Sequence, residues 1–154
     1  MKLFSFFKKK RQFFSAEDNK QIVDCIRIAE KETSGEIRVF VESKNAFVDV
    51  LDRAKEIFFD LKMDKTDDRN AVLLYVALDD KEVALFADEG IYKRVGVDYW
   101  DAAVKNMLQY FTTDNISNGI EKCILKIGET LKKEFPFDAD TDRNELPDEI
   151  VFGK

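Results

Sequence analysis

The segment from residue 70 to residue 90 contains two short apolar runs separated by a polar break, and this pattern predicts a β-hairpin. The runs, Ala71 to Leu78 and Val83 to Ala87, are rich in Val, Leu and Ala and are bounded by turn-forming residues, as buried strands are. The break at residues 79–82 is too short to hold a crossover helix. We therefore expect two antiparallel strands whose outer ends, near residues 67–68 and 88–89, lie close together.

The apolar positions before this hairpin predict a helix, a strand and a second helix. Ser15 is expected to cap the first helix, with Asp18 three residues later, and this helix should end near Glu32. Residues 36–42 alternate as a strand does, and residues 45–62 carry a wide apolar stripe at helical spacing. The order strand, helix, strand predicts that the first two strands are parallel and joined by a right-handed crossover.

The second half of the chain predicts two further helices and a polar tail. Residues 91–96 show no clear periodicity and are expected to be irregular. Asp98 is expected to cap a helix with Trp100 on its buried face, and the last helix begins at Ile116 and stops before Pro136.

These elements predict an α/β protein, a three-layer α/β/α sandwich with a small mixed sheet in which a parallel crossover unit is followed by an antiparallel hairpin. The expected division is a basic and aromatic N-terminal segment at residues 1–14, the domain at residues 15–137 and an acidic, solvated tail at residues 138–154.

Composition narrows the function classes. A chain of 154 residues is long enough for one domain with a substantial core, and a net charge of -6 argues against nucleic-acid binding. The sequence has no histidine, which excludes His-based general bases, catalytic triads and the usual zinc ligands. Cys25 and Cys123 each fall in a helical pattern, so we interpret them as small buried apolar residues and not as a disulfide.

The N-terminal segment combines a basic cluster at residues 8–11 with Phe residues on both sides. Such a segment can make a peripheral contact with an anionic membrane, but the simpler interpretation, which we favour, is that the Phe side chains pack on the domain. We find no signal peptide and no apolar run approaching the roughly 20 residues of a membrane span, so we expect a cytoplasmic protein.

The predicted topology gathers acidic residues at one edge of the sheet, where the first two strands begin and the third ends. Clustered carboxylates and loop carbonyls suit a hard divalent cation, which takes six or more oxygen ligands. The alternative is that these residues are only turn formers, caps and solvated charges. The candidate metal ligands are Glu36, Asp67, Asp68, Asp88, Glu89 and Asp98.

A second acidic pattern lies in the tail, where the spacing partly matches a calcium-binding loop. Its sixth position holds Arg143 in place of the glycine that the sharp turn requires, so we interpret the segment as a solvated tail. The loop ligands would be Asp138, Asp140, Asp142, Asn144 and Glu149.

No phosphatase nucleophile is recognisable, because Asp138-x-Asp140 does not follow a buried strand and neither cysteine begins a Cys-x5-Arg loop. Any hydrolysis of phosphate esters would therefore use metal-activated water, with Arg69, Lys93 or Arg94 steadying the phosphate.

Several stretches resemble the TPM domain family, a bacterial and plastid group that includes a thylakoid-lumen phosphatase-like protein. The resemblance is carried by residues 33–37, residues 70–74, Asp88-Glu89-Gly90-Ile91, the helix around Trp100, and residues 144–153. It is closest to a short bacterial form without signal peptide or transmembrane tail. The chain departs from the family pattern in having Asn70-Ala71 where Asn-Gly is usual, and only Gly90 of a Gly-x-Gly turn.

The resemblance implies an α/β/α sandwich, a divalent-cation site that often binds calcium, and in some members a weak acid phosphatase activity. We therefore expect a TPM-like protein that binds Ca²⁺, or Mg²⁺ in its place, and is non-enzymatic or weakly active. The alternatives are a metal-dependent phosphomonoesterase and a membrane-surface or complex-assembly adaptor whose protein partner is unknown. If the carboxylates repel one another, Asp68→Asn and Asp88→Asn should weaken cation binding and slightly stabilise the metal-free protein.

Overall fold

A computed structural model describes residues 12–46, 49–113, 115–139 and 144–153. These residues form five helices and four strands. In chain order the elements are α1 (Ala16–Glu30), β1 (Glu36–Glu42), α2 (Val50–Asp60), β2 (Ala71–Ala77), β3 (Glu82–Ala87), α3 (Glu89–Val95), α4 (Val97–Gln109), α5 (Ile116–Glu134) and β4 (Val151–Phe152).

The four strands form one mixed sheet in the order β3-β2-β1-β4. β1 and β2 are parallel, with Glu36 opposite Ala71, and the crossover between them contains α2. β2 and β3 form the antiparallel hairpin, with Val72 opposite Ala87. The parallel crossover unit and the hairpin predicted from the apolar pattern are both confirmed.

Helices cover both faces of the sheet, which confirms the predicted three-layer architecture. The larger apolar core lies between one face and α1, α4 and α5, and the smaller core lies between the other face and α2. Every residue of β1 and β2 is buried, as expected for strands covered on both faces. Trp100 belongs to the larger core, as its helical spacing predicted.

The first two helices begin where side chains can cap them. Ser15 Oγ accepts a hydrogen bond of 3.0 Å from the N–H of Asp18, which confirms the predicted N-cap of α1. α2 begins five residues later than predicted, because Asp49 caps it by accepting from the N–H of Leu51. The chain before it is tied to the hairpin turn, since Asn45 N–H donates to Asp80 Oδ2 at 2.7 Å.

The segment after β3 is helical, so the prediction that residues 91–96 are irregular is wrong. Asp88 Oδ1 accepts from the N–H of Glu89 and starts α3, which occupies most of that segment. α4 then begins at Val97 after Gly96, whose φ of 90° lies in the left-handed region that favours glycine. Asp98 therefore lies in the first turn of α4 and is not its N-cap.

The prediction that the tail is solvated is wrong for residues 144–153. β4 pairs in parallel with β1, and the N–H of Gly153 donates to Val41 O at 2.8 Å. The ring of Phe152 stacks on Phe13 with the centroids 5.7 Å apart, and Leu146 packs against the smaller core. Residues 140–143 of the proposed calcium loop lie outside the described residues.

The remaining expectations concern the cysteines and the N-terminal aromatic residues. Cys25 and Cys123 are free thiols, and the predicted burial is observed for Cys123, whereas Cys25 is half-buried. Phe14 is buried in the larger core and Phe13 packs against it, whereas the earlier Phe residues lie outside the described residues. Within the part of the chain that the structure describes, no helix has the length and apolarity needed to cross a membrane.

Candidate functional site

The sheet topology brings five of the six candidate metal ligands to the edge formed by the ends of the strands, where β1 and β2 begin and β3 ends. Glu36 begins β1 opposite the first residue of β2. The N–H of Asp88 donates to Ala71 O at 2.9 Å, and the N–H of Gly90 donates to Arg69 O at 2.8 Å, so the end of the hairpin lies against the loop before β2. Asp98, the sixth candidate, is exposed on α4 beyond this edge.

Asp88 and Glu89 form a group of their own, in which Arg69 offsets one of the two negative charges. The guanidinium donates to both carboxylate oxygens of Asp88, at 2.7 and 2.9 Å, and its third nitrogen lies 3.4 Å from Glu89 Oε1. Asp88 is buried, with 4% exposure, and also caps α3. Because both oxygens of Asp88 already accept hydrogen bonds from charged or backbone donors, its function in this structure is to hold the loop and the helix together.

Glu36 lies in a second group, to which the C-terminal segment contributes. The carboxylate of Glu36 accepts a hydrogen bond from the N–H of Glu145 at 2.5 Å, and the N–H of Asp67 donates to Glu145 Oε2 at 3.2 Å. Ser34 Oγ donates to Asp68 Oδ2 at 3.3 Å and accepts from Asn70 Nδ2 at 3.1 Å. We call this group the sheet-edge corner: Ser34, Glu36, Asp67, Asp68, Asn70 and Glu145.

The sheet-edge corner contains buried oxygen atoms that lack hydrogen-bond partners. Glu36 Oε2 and Asn70 Oδ1 have no partner among the described residues, nor has Oγ1 of the neighbouring Thr66. Glu36 is 2% exposed and Asn70 is fully buried, so water does not readily satisfy these lone pairs. Oxygen donors left unsatisfied in this way fit a hard cation such as Ca²⁺ or Mg²⁺.

The described side chains do not form a complete metal cage. Among them, no group of three or more acidic, cysteine or histidine side chains is arranged to hold a metal ion. Ligation at the sheet-edge corner would therefore combine carboxylates with amide, hydroxyl and backbone oxygens, and the exposed loop that carries Asp67 and Asp68 would have to adjust.

A network of carboxyl groups lies beside the corner. Burial raises the pKa of Glu30 to about 11, aided by its hydrogen bond to Asp148 and by the charge of Glu36. Burial also raises the pKa of Glu36 to about 7, although the N–H of Glu145 and the Glu30 carboxyl oppose this shift. Glu30 is therefore protonated at neutral pH, and its single proton can serve only one of its two carboxylate neighbours at a time.

Two arginines limit the negative charge of this network. Arg38 is buried on β1, and burial lowers the pKa of its guanidinium while Glu149, Asp148 and Glu30 oppose this shift. Arg27 Nε lies 3.7 Å from Asp148 Oδ2. A cleft of about 410 Å³ opens beside the network, and its walls include Arg27, Glu30, Ser34, Glu36, Asn144 and Asp148.

Replacing Glu30 by glutamine should make the free energy of unfolding less dependent on pH. In the unfolded chain Glu30 loses its proton near pH 4.5, whereas burial in the fold raises its pKa well above that value, so its contribution is complete below pH 4.5 and declines as pH rises. Glutamine cannot ionise and can still accept the 2.7 Å hydrogen bond from Ile37 N–H. Urea unfolding should show Glu30→Gln gaining about 1 kcal/mol over the wild type at pH 8 and no advantage at pH 4.

Glu30 and Glu36 shift each other's pKa, so the comparison reports the change in pH dependence of this pair of carboxyl groups. Stability curves of the two proteins that run parallel between pH 4 and pH 8 would show that Glu30 is not held protonated by the fold.

The cations proposed to steady a phosphate are mostly engaged elsewhere. Arg69 is held by Asp88, and Arg94 donates to Glu134 O at 2.6 Å with its guanidinium 4.0 Å from the centroid of the Phe135 ring. Lys93 is exposed on α3.

Glu145 and Asp148 were missed as site residues from the sequence because the tail was assigned to solvent. The signal that could have found them is the apolar end of that segment, Ile150 to Phe152, whose last two residues form the edge strand β4.

Comparisons with known proteins agree with this fold. The structure is similar to the NMR structure of BA42 protein from Bizionia argentinensis, with 44% identity and a TM-score of 0.85, covering 94% of this chain and 99% of that one. It shares the fold of the N-terminal domain of cg2496 protein from Corynebacterium glutamicum, with 13% identity, a TM-score of 0.62 and coverage of 77% and 74%. A comparison with curated proteins finds no match.

A third similar structure is the N-terminal domain of a protein from P. gingivalis, with 14% identity and a TM-score of 0.65, covering 79% of this chain and 78% of that one. The family model for the TPM domain matches residues 8–130, which include every strand except β4. This chain therefore belongs to the TPM domain family.

Proposed function

We propose that this protein binds a divalent cation, with calcium as the preferred ion, at the sheet-edge corner and is non-enzymatic or weakly active. The observation that carries the proposal is a pair of buried oxygens in this corner: Asn70 Oδ1 lacks a hydrogen-bond partner among the described residues, and the only described group that can serve Glu36 Oε2 is the Glu30 carboxyl, whose proton is shared with Asp148. A cation would supply the missing partner to both oxygens and would offset the burial that now disfavours ionised Glu36.

Calcium is preferred to magnesium because of the mixture of ligands. The corner offers carboxylates from Glu36, Asp68 and Glu145 together with an amide and a hydroxyl, carried on a strand, two loops and the C-terminal segment. Ca²⁺ accepts six to eight oxygens in adaptable geometry, whereas Mg²⁺ demands a near-ideal octahedron and gives up its water reluctantly.

The phosphomonoesterase alternative depends on the same cation. With no histidine in the sequence, the route that remains is water activated by the metal. Any activity towards a chromogenic phosphate ester should therefore be lost on exhaustive chelation, and activity that survives chelation would rule this mechanism out.

A calcium titration followed by amide NMR is the direct test of the cation site. The largest shifts are expected at residues 34–37, 66–70 and 145, because the partners named above lie there. Bound calcium at a hundredfold excess over the dissociation constant should stabilise the fold by about 2.7 kcal/mol. Glu36→Gln and Asp68→Asn should each raise the dissociation constant by about tenfold or more, because each removes a charged ligand.

Asp98→Asn is the matched control, since it removes one exposed carboxylate outside the corner and should leave the affinity unchanged. Asp88→Asn should lower stability, contrary to the expectation from charge repulsion, because it breaks the ion pair with Arg69 while changing calcium affinity little. Calcium shifts confined to residues 138–149, with no effect of Glu36→Gln or Asp68→Asn, would place the cation on the tail and refute this site.

A further inference from the structure

The open edge of the sheet is unusually long and apolar. β4 occupies the other edge with two residues, whereas β3 is six residues long and has no strand beyond it among the described residues. Residues 83–87 of β3 are all apolar and include neither proline nor charge, the devices with which edge strands usually discourage pairing.

The phase of the β2–β3 ladder shows which main-chain groups face outward. The N–H of Asp88 donates to Ala71 O and the N–H of Gly90 donates to Arg69 O. Every second residue of β3, counted back from Asp88, therefore forms its main-chain hydrogen bonds with β2. Antiparallel ladders alternate, and Val83, Leu85 and Ala87 therefore direct their N–H and C=O groups towards the open edge. They offer a ladder to one further strand.

A groove of about 770 Å³, here called the β3 groove, runs along this edge. Residues 83–87 form its floor, with α2 on one side and α3 and α4 on the other. Among the described residues, four of the eight large apolar side chains that are exposed line this one groove. They are Leu51 (47% exposed), Phe59 (43%), Tyr92 (42%) and Val97 (53%).

The charges around the β3 groove are opposite in sign to those of the protein as a whole. Lys55, Lys93 and Lys105 line it, and none of them forms an ion pair with a described residue. Arg69 pairs with Asp88 and Glu89 and offsets one of their two charges, and Asp101 is the third carboxylate of the lining. The lining thus carries four cations and three carboxylates, a small net positive charge around an apolar groove in a chain whose net charge is -6.

We infer that the β3 groove binds an extended, apolar segment of a partner protein that carries acidic residues at its ends, and that this segment adds a fifth strand to the sheet. The main-chain groups of Val83, Leu85 and Ala87 would supply the ladder, the exposed apolar side chains would cover alternate residues of the segment, and the lysines would meet its carboxylates. A strand of six residues accommodates about 20 Å of extended peptide. Charge complementarity favours such a partner over a second copy of this acidic chain.

The test uses a fluorescein-labelled peptide of alternating valine and threonine flanked by aspartates, and the same peptide flanked by lysines. Fluorescence anisotropy should show that the aspartate peptide binds the full chain more tightly than the lysine peptide, by about tenfold or more. Amide NMR should place the shifts at residues 83–87 and along the facing sides of α2, α3 and α4.

Two sets of variants separate strand addition from general stickiness. Val97→Asp and Leu51→Asp should weaken binding of the aspartate peptide by about tenfold or more, whereas Leu125→Asp, 40% exposed on α5 outside the groove, should not. Lys93→Glu should reverse the preference between the two peptides. Two further peptides carry N-methyl groups on alternate residues, one on the odd-numbered and one on the even-numbered residues. One of them should lose binding and the other should keep it, because only one of the two sets of amides faces β3.

Three outcomes would overturn the inference. The first is the absence of shifts at residues 83–87 with the aspartate peptide at about 1 mM, where even weak strand addition is detectable. The second is equal binding of the two N-methylated peptides, which would mean that no ladder of main-chain hydrogen bonds forms. The third is a dimer in sedimentation experiments that Val97→Asp dissociates and the peptide does not, which would assign the groove to a second copy of the chain.

Discussion

Replacing Gly90 by alanine is expected to lower the free energy of unfolding by about 3 kcal/mol, the upper end of what overpacking usually costs. A Cβ atom at this position would lie 2.2 Å from Asp68 O and 2.5 Å from Arg69 O. Both obstacles are backbone atoms of the loop before β2, so no side-chain rotation can relieve the contact. The loop or the first turn of α3 would have to move, and the 2.8 Å hydrogen bond from Gly90 N–H to Arg69 O would break.

The same displacement should reach the sheet-edge corner, because Asp68 carries one of its carboxylates. Gly90→Ala should therefore weaken calcium binding although it removes no ligand. Urea unfolding and the calcium titration measure the two effects. Gly35→Ala is the comparison for stability, since its Cβ would meet the terminal methyl carbons of Leu131, which a change of side-chain torsion can shift, and a stability loss as large as that of Gly90→Ala would contradict this account.

Replacing Arg53 by alanine is expected to cost about 3 kcal/mol or more, because it leaves a buried carboxylate without its cation. Glu42 is 5% exposed at the end of β1, and Arg53 on α2 donates to both of its oxygens, at 2.8 and 2.9 Å. The hydroxyl of Tyr75 donates to the same carboxylate, and burial raises the pKa of that hydroxyl. Thermal or urea unfolding at pH 7 should show the loss directly.

A double replacement distinguishes an unpaired charge from lost packing. Changing Glu42 to leucine together with Arg53 to methionine removes both charges, and the pair should be appreciably more stable than Arg53→Ala. Lys55→Ala, an exposed position on the same helix, should change stability by less than about 0.5 kcal/mol. If Arg53→Ala is as mild as Lys55→Ala, the ion pair contributes little and the buried Glu42 is stabilised by other groups.

The strongly patterned part of the fold could be predicted from the sequence, because period and length are local properties. β1 alternates and is bounded by Gly35, and its predicted range matches the observed Glu36–Glu42. The hairpin follows from two apolar runs and a break too short for a helix, and its register then determines which residues share an edge. The same register predicts that Glu36, Asp68 and Asp88 lie where the strands end together, as they do.

The elements that were missed depend on contacts distant in sequence. β4 has only two residues, too few for a periodic signal, and exists because β1 offers it an open edge. α3 was taken for an irregular segment because it is seven residues long and depends on the capping carboxylate of Asp88. In both cases a tertiary contact stabilises what local propensity does not.

The candidate site was predicted in outline but not in its pairing. The number of carboxylates in the sequence could not show that Arg69 would pair with Asp88 and Glu89. That pairing depends on the direction of the Arg69 side chain, which follows from its positive φ, and on the close approach of the backbone at Gly90. Nor could spacing show that Glu145 would approach Glu36. The two residues are more than a hundred positions apart in the sequence, and the pairing of β4 with β1 brings them together.

The unequal thickness of the two helical layers has a consequence for how the native state opens. Among the described residues, the helices on one face of the sheet are α1, α4 and α5 and the helix on the other is α2, with β2 buried between them. In hydrogen exchange, the amides of α2 should become labile through a partial opening in which this single helix detaches. Those of β2 should exchange only through global unfolding, so their protection factors would report the stability of the whole molecule.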